Sequence, residues 1–408
     1  YIDQGQSILE KLNVLPPAEV AAPAAATDGS ATPPAAPQDK TVDGSRSIFF
    51  SILMGGLAAL GAIEVVNVLN AGAVILAIWL PLRVAARQFA APFGVAGMIV
   101  LVVAAAALGS MPFFVAYLMP DTLAPVMILV IATVAVFGRQ MRAGELFLAF
   151  VLGAGAIVSH LSHFAIAGGM LLAAVVVALL LRRGTWWIVA LFVAGLLTVA
   201  YAQQIAIRAA AAKVASSEVV IRPFLTARLI QDGPGYAYLE ERCPDPAYAT
   251  CRLYSELQNS SDPWRLTASH ILFKQTPDLG SLRLMPEADQ VAVARDQTRF
   301  FRDVLADRPV AVTLAFAKNT LVQTVMFSVD MTFANEATLK GHETVRGQVT
   351  GPFADGRLTR GDDGWIATLT ILQGAFYAAC FVVALAILLR PAGLPPQLRA
   401  FAVLLLLG

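Results

Sequence analysis

The chain has 408 residues, of which 57% are hydrophobic and 14% charged; its formal net charge is +1 and its mean hydropathy +0.68. Soluble domains carry roughly 25% charged residues, so an ordinary soluble fold is excluded. A charge this close to zero gives nucleic acid no electrostatic footing, and none is expected as a partner.

Several apolar runs of about 18 residues or more read as transmembrane helices. The expected fold class is an all-α polytopic membrane protein with about eight spans in a lipid bilayer. It opens on Tyr1 and closes inside the apolar run "FAVLLLLG". It is therefore read as part of a longer protein, with at least one helix beyond each end.

Residues 1–46 are polar, and "LPPAEVAAPAAATDGSATPPAAP" reads as a flexible extramembrane segment. Residues 47–62, "SIFFSILMGGLAALGA", are apolar but short and Gly-rich, which predicts an interfacial or re-entrant helix. Residues 63–205 form a transmembrane bundle, with spans at 63–82, 92–110, 122–138, 144–160, 164–181 and 185–205. Residues 206–363 are a mostly helical domain. Residues 364–408 return to the membrane, with a span at 364–389 and another opening near 398.

Within 206–363, "PFLTARLIQDGPGYAYLEERCPDPAYATCRLYSEL" reads as short helices separated by a Gly-Pro turn and a Pro-rich bend. "EADQVAVARDQTRFFRDVLADRP" has the apolar spacing of an amphipathic helix. "VAVTLAFAKNTLVQTVMFSV" has the length of a span, but Lys318, Asn319 and Gln323 argue for a helix on or near the membrane surface. Cys243 and Cys251, with seven residues between them, are a plausible disulfide in an oxidising compartment. A zinc site is the weaker alternative, since no second Cys or His pair lies close by.

Arginines set the orientation. Of 29 Lys and Arg, eighteen fall in 206–363 and three, Lys11, Lys40 and Arg46, in the N-terminal segment. The other eight are Arg83, Arg87, Arg139, Arg142, Arg182, Arg183, Arg390 and Arg399, and all occupy alternate short connections. Positive residues in short loops stay cytoplasmic. The expected location is the bacterial inner membrane, with 1–46 and 206–363 on the exported, periplasmic side.

Outside those two exported segments only three acids remain, Glu64, Asp121 and Glu145. Glu145 follows Arg142 at a helix start, where the dipole and its neighbour account for it. Glu64 and Asp121 lie at exported ends of spans, level with His160 and His163 of "SHLSHF". Ionisable groups at a membrane are functional candidates. Each also has a structural reading. Asp121 could cap the next helix, the histidines could cap their turn with Ser159 and Ser162, and Glu64 with Asn67 and Asn70 could bridge helices.

This layout resembles the C superfamily (GT-C) of bacterial membrane glycosyltransferases, which take sugar from a polyprenyl-phosphate carrier on the outer face. The features that carry it are an exported loop before an interfacial helix, the acidic loop "LMPD", a histidine-bearing hairpin and a late exported domain. The resemblance implies transfer to an envelope acceptor, with a catalytic aspartate in the first exported loop, for which Asp3 of "YIDQGQ" is the match. It implies further acids in the second loop, where Asp121 stands. A carboxylate would act as general base. Arg46, the histidines or a divalent metal ion would stabilise the leaving phosphate, and Glu64 would help hold substrate. A secondary transporter would use the same groups as a proton relay. A non-catalytic subunit of polysaccharide assembly or export would use the late domain for protein contacts.

Overall fold

The computed structural model describes residues 1–11, 14–15, 41–90, 94–180, 184, 186–214, 218–243, 248–326, 328–329, 332, 364–389 and 393–408. The Ala/Pro-rich stretch at 16–40 and the end of the late domain at 333–363 lie outside them. The chain divides into two compact units. One comprises residues 1–19, 46–207 and 327–408, the other 20–45 and 208–326.

The first unit is a helical bundle. Its helices are α1 (Ile2–Lys11), α2 (Ile48–Ala59), α3 (Val65–Gln88), α4 (Val95–Leu108), α5 (Met111–Ala116), α6 (Leu123–Phe137), α7 (Ala143–Ser159), α8 (His163–Leu180) and α9 (Trp186–Val214). Two more, α16 (Trp365–Leu389) and α17 (Pro396–Leu407), follow the late domain. Among the described residues, five helices are long and apolar enough to cross a membrane: Val65–Gln88, Pro120–Phe137, His163–Leu180, Trp186–Lys213 and Trp365–Leu389. The expected spans at α4, α7 and α17 are apolar helices of fewer residues.

Helix α6 is the centre. Met127, Val130, Ile131 and Val134 are fully buried, and α3, α7, α8 and α17 pack around it. An apolar helix buried all round is the interior element of such an assembly. Helix α16 is the opposite case, since Ile366 and Gln373 are its only buried residues. Its outward aliphatic surface suits a lipid environment.

At the N-terminus the polar segment holds a helix that composition did not announce. Ile2 and Leu9 of α1 sit on one face, and α1 packs against α2 around Phe50, Met54 and Ala58. The two helices meet at glycines. A Cβ on Gly5 would overlap the Ser51 carbonyl oxygen, and one on Gly55 would stand 2.5 Å from the Gln6 nitrogen. The Ser51 hydroxyl then reaches Gln4 Oε1 at 2.9 Å, completing the contact.

The second unit holds α10 (Phe224–Gln231), α11 (Pro234–Arg242), α12 (Thr250–Leu257), α13 (Ala268–Phe273), α14 (Glu287–Asp307) and α15 (Pro309–Thr324). Helix α14 buries Val293, Phe300 and Val304 against Leu229, Leu239, Leu253 and Ile271, in keeping with its apolar spacing. Gly233, at φ 101°, makes the turn between α10 and α11. Cys243 and Cys251 are joined as a disulfide, their Cα atoms 5.5 Å apart. The Tyr248 hydroxyl donates to Asp303 at 2.8 Å. Burial, and then that carboxylate, push its phenol well above the ordinary value, so it stays a donor. The N-terminal segment also enters this unit. Strand β1 (Thr41–Asp43) pairs in parallel with β2 (Glu218–Val220), and the Arg222 N–H donates to Ser45 Oγ at 2.7 Å. The unit therefore begins at 208, takes residues up to Ser45 with it, and adds a short two-stranded ladder to the mostly helical domain that was expected.

The glycine contact yields a test. Gly5→Ala should force α1 off α2, with a loss of about 1–3 kcal/mol, the usual cost of overpacking. Gly56→Ala, whose new methyl would meet only Leu9 Cδ1 at 3.6 Å, should cost no stability and add up to about 1 kcal/mol, the helix preference of Ala over Gly. Thermal unfolding of the two variants in detergent, followed by size-exclusion fluorescence, compares them.

Candidate functional site at one end of the bundle

The two ends of the bundle treat their charges in opposite ways. At one end Glu145, near the start of α7, is buried and fully matched. Arg87 donates to it from Nη1 at 2.6 Å and Nη2 at 2.8 Å. Arg83 Nε adds a bond at 3.3 Å, and the Arg142 backbone N–H another at 2.8 Å. Arg87 Nη2 also reaches the Gln140 carbonyl, and Arg139 reaches that of Gly184 at 3.1 Å. Arg83, Arg87, Arg139 and Arg142, four of the arginines that set the expected orientation, thus gather here, while Arg182, Arg183 and Arg390 lie outside the described residues. The simple account of Glu145 needs correction: its main partners are Arg83 and Arg87 on α3, not the Arg142 side chain. Their i, i+4 spacing puts both on one face of α3, which was the available signal.

At the other end, loops converge. Ser47 starts α2, accepting from the Phe50 N–H at 3.1 Å and donating to the Val158 carbonyl at 2.6 Å. That bond ties α2 to the last turn of α7. Helix α7 stops because His160 is extended, at φ −150° and ψ 140°. The turn of Pro120–Thr122 packs on α7 and is fixed by the Thr122 hydroxyl, which donates to the Phe114 carbonyl at 2.7 Å.

The histidines hold their own turn. His160 Nδ1 lies 2.7 Å from Ser162 Oγ and accepts from the Ser162 N–H at 3.2 Å. His163 is fully buried, with Nδ1 2.5 Å from the Ala156 carbonyl. A carbonyl can only accept, so Nδ1 carries the proton and Nε2 presents a lone pair. That buried Nε2 meets no partner among the described residues. The two rings are 5.6 Å apart, and Asp121 is near enough for its charge to act on His163.

Asp121 itself is exposed, and its carboxylate forms no hydrogen bond or ion pair among the described residues. Thr122 occupies the N-cap position of α6, and no side chain caps that helix. Glu64 is likewise exposed at the start of α3 without a capping bond. Asn67 Oδ1 and Asn70 Nδ2 are buried without partners among the described residues, so these atoms do not bridge helices. Arg46 is exposed, its guanidinium 5.4 Å from the centre of the Tyr1 ring. Asp3 lies on α1, and its side chain falls outside the described residues.

Beside Asp121 opens a cavity of about 420 Å³. Its walls are apolar, built from Val74, Ala77 and Ile78 of α3, Phe114 and Val115 of α5, and Val126 and Leu129 of α6. Four polar residues reach it: Ser110, Asp121, Thr122 and Tyr377. The Tyr377 hydroxyl binds the Ser110 N–H at 2.8 Å and Ser110 Oγ at 2.7 Å. Of the predicted residues Asp121 alone lines this space; His160, His163, Glu64 and Arg46 share the bundle end without lining the cavity. Ser110 and Tyr377 carry no charge and lie far apart in sequence, so nothing local marked them.

Such a site can seat an apolar chain, with a carboxylate at its edge to accept a proton. Among the described residues no three His, Cys, Asp or Glu side chains come together to hold a metal ion. No family model, curated protein or solved structure matches the chain.

The matched end is the easier to test. Glu145→Gln leaves two arginines facing a neutral amide and should cost about 2–3 kcal/mol, somewhat less than the 3–5 of a fully buried broken pair, because Arg83 and Arg87 are partly exposed. Arg87→Met combined with Glu145→Leu should recover most of that loss. Melting curves of the single and double variants measure it.

Proposed function

We propose that the chain is an integral-membrane glycosyltransferase, moving a sugar from a polyprenyl-phosphate carrier to an envelope acceptor at the outer face of the bacterial inner membrane. One observation carries the reading: the Asp121 carboxylate, unpaired among the described residues, at the edge of an apolar cavity and at the bundle end remote from the arginine cluster. A lipid-linked donor needs that combination, a greasy slot beside a polar, ionisable rim.

In the proposed reaction Asp121 takes the acceptor hydroxyl's proton as general base. The freed oxygen forms a bond to the sugar's anomeric carbon as the bond from that carbon to the phosphate oxygen breaks. Polyprenyl phosphate leaves with the electron pair. Arg46 supplies positive charge and His160 a hydrogen bond to that phosphate, while His163, whose proton is held by the Ala156 carbonyl, braces the turn that carries His160. Glu64 contributes to substrate binding, and Asp3 is a second acid at the same end of the chain layout.

The proposal has eight crossings, the five long helices together with α4, α7 and α17. Seventeen residues of α7 rise about 26 Å, close to the roughly 30 Å of a hydrocarbon core. The arginine end then faces the cytoplasm by the positive-inside rule, and the late domain is exported. A transporter would use the same ionisable groups, so turnover of a lipid-linked sugar is the separating assay.

Asp121→Asn removes the charge at nearly constant size. In purified, reconstituted protein, sugar transfer should fall by on the order of 100-fold or more, with the melting temperature unchanged. A fully active variant takes Asp121 out of the reaction. Orientation has its own check. A maleimide that cannot cross membranes should label Asp278→Cys from the outside and Gln140→Cys only after the cells are opened, and the reverse pattern would invert the topology.

A further inference from the structure

We infer that the outer face of α15 is seated in the lipid bilayer, so that the late domain is a membrane-embedded platform and not a freely solvated one. The inner face of this helix is accounted for. Val312 is fully buried, Phe316 stacks on Phe301 with ring centres 6.3 Å apart, and Asn319 Nδ2 donates to Asp232 at 2.7 Å. Among the described residues nothing covers the opposite face. Val310, Leu314, Leu321 and Val325 are 70%, 64%, 70% and 71% exposed, and their spacing lines them up as one stripe. An aliphatic row of this length marks a contact surface.

Two observations identify the occupant as lipid. The first is polar bookkeeping along the helix. All three threonine hydroxyls turn back onto the helix's own carbonyls: Thr313 to Pro309 at 2.7 Å, Thr320 to Phe316 at 3.0 Å and Thr324 to Thr320 at 2.8 Å. Thr133 of α6 and Thr198 of α9 do the same in apolar helices. This i−4 bonding satisfies a hydroxyl that has no water to bind. The second is charge and connection. Helix α15 has no acidic residue, and its one cation, Lys318, lies at the edge of the stripe, where a long stem can carry its ammonium to the headgroups. The unit containing it starts within the final turns of α9, a helix apolar enough to span a membrane. A bilayer is therefore always within reach. A second protein chain would need complementary polar contacts around the stripe, and the back-bonded threonines have no donor left to give it.

The test uses the full chain in vesicles of phosphatidylcholine and phosphatidylglycerol, with Cys380→Ala removing the one free thiol among the described residues. Nitroxide labels at Leu314→Cys and Leu321→Cys are compared with one at Asn259→Cys, a polar exposed position of the same unit. Collisions with oxygen, which concentrates in lipid, should exceed those with a water-soluble nickel chelate several-fold at the two α15 sites and not at Asn259. Preference for the nickel chelate at Leu314 and Leu321 would overturn the inference, as would protection from both reagents, the mark of a protein partner or second copy. Val310→Cys and Val325→Cys occupy the same stripe and serve where a central variant fails to fold. The outcome is independent of sugar transfer: an inactive protein with lipid-exposed labels, or an active one without them, separates this inference from the proposed reaction.

Discussion

A charge is costly in hydrocarbon, and that constraint orders the bundle. Translocon measurements put Arg, Lys or Asp at the centre of a span at about 2.5–3.5 kcal/mol each, so ionisable side chains collect where helices end. Arg83, Arg87 and Glu145 gather at one end. Asp121, Glu64, Arg46 and the two histidines belong to the turns and helix starts at the other. Between them lies a core around α6 in which Thr133 is the one buried polar side chain of that helix, bonded to the Leu129 carbonyl.

The same constraint makes the two ends informative in different ways. Glu145 accepts four bonds from three residues, as buried charges do when their role is to hold structure. At the opposite end the accounts are left open. Among the described residues the Asp121 carboxylate has no hydrogen bond or ion pair, His163 Nε2 is buried and bare, and Asn67 and Asn70 each keep a buried atom unbonded. Proteins that satisfy polar groups elsewhere tend to leave them unmet where they work.

The apolar runs, the amphipathic spacing of α14 and the gathering of basic residues were all legible in the sequence, because each depends on composition or short-range period. What escaped was long-range. Helix α1 is short and mostly polar, and its place is fixed by glycine contacts with α2 some fifty residues on. The β1–β2 ladder joins segments separated by more than 170 residues, and six residues of strand leave almost no pattern. For the site, Asp121 and the histidines were visible as rare ionisable groups in apolar surroundings, whereas the cavity beside Asp121 is a matter of shape. Its walls are ordinary apolar residues, and no single one distinguishes a lining position from a packed one.

Tyr377 shows why that shape depends on the far end of the chain. It comes from α16, a helix with almost no buried surface, yet it lines the cavity next to Ser110. Two polar contacts hold α16 there: the Tyr377 hydroxyl with Ser110, and Gln373 Nε2 with the Gly109 carbonyl at 3.3 Å. Both land on the break between α4 and α5, where helix geometry has freed a backbone N–H and carbonyl. Interhelical hydrogen bonds in membranes are worth about 0.6 kcal/mol on average and up to about 2. The walls from α3 and α6 are backed by a close-packed core, whereas α16 reaches the cavity through these bonds and its packing on α17. The α16 side of the cavity is therefore joined to the α4–α5 break by polar contacts, where the α3 and α6 sides are joined by buried apolar side chains.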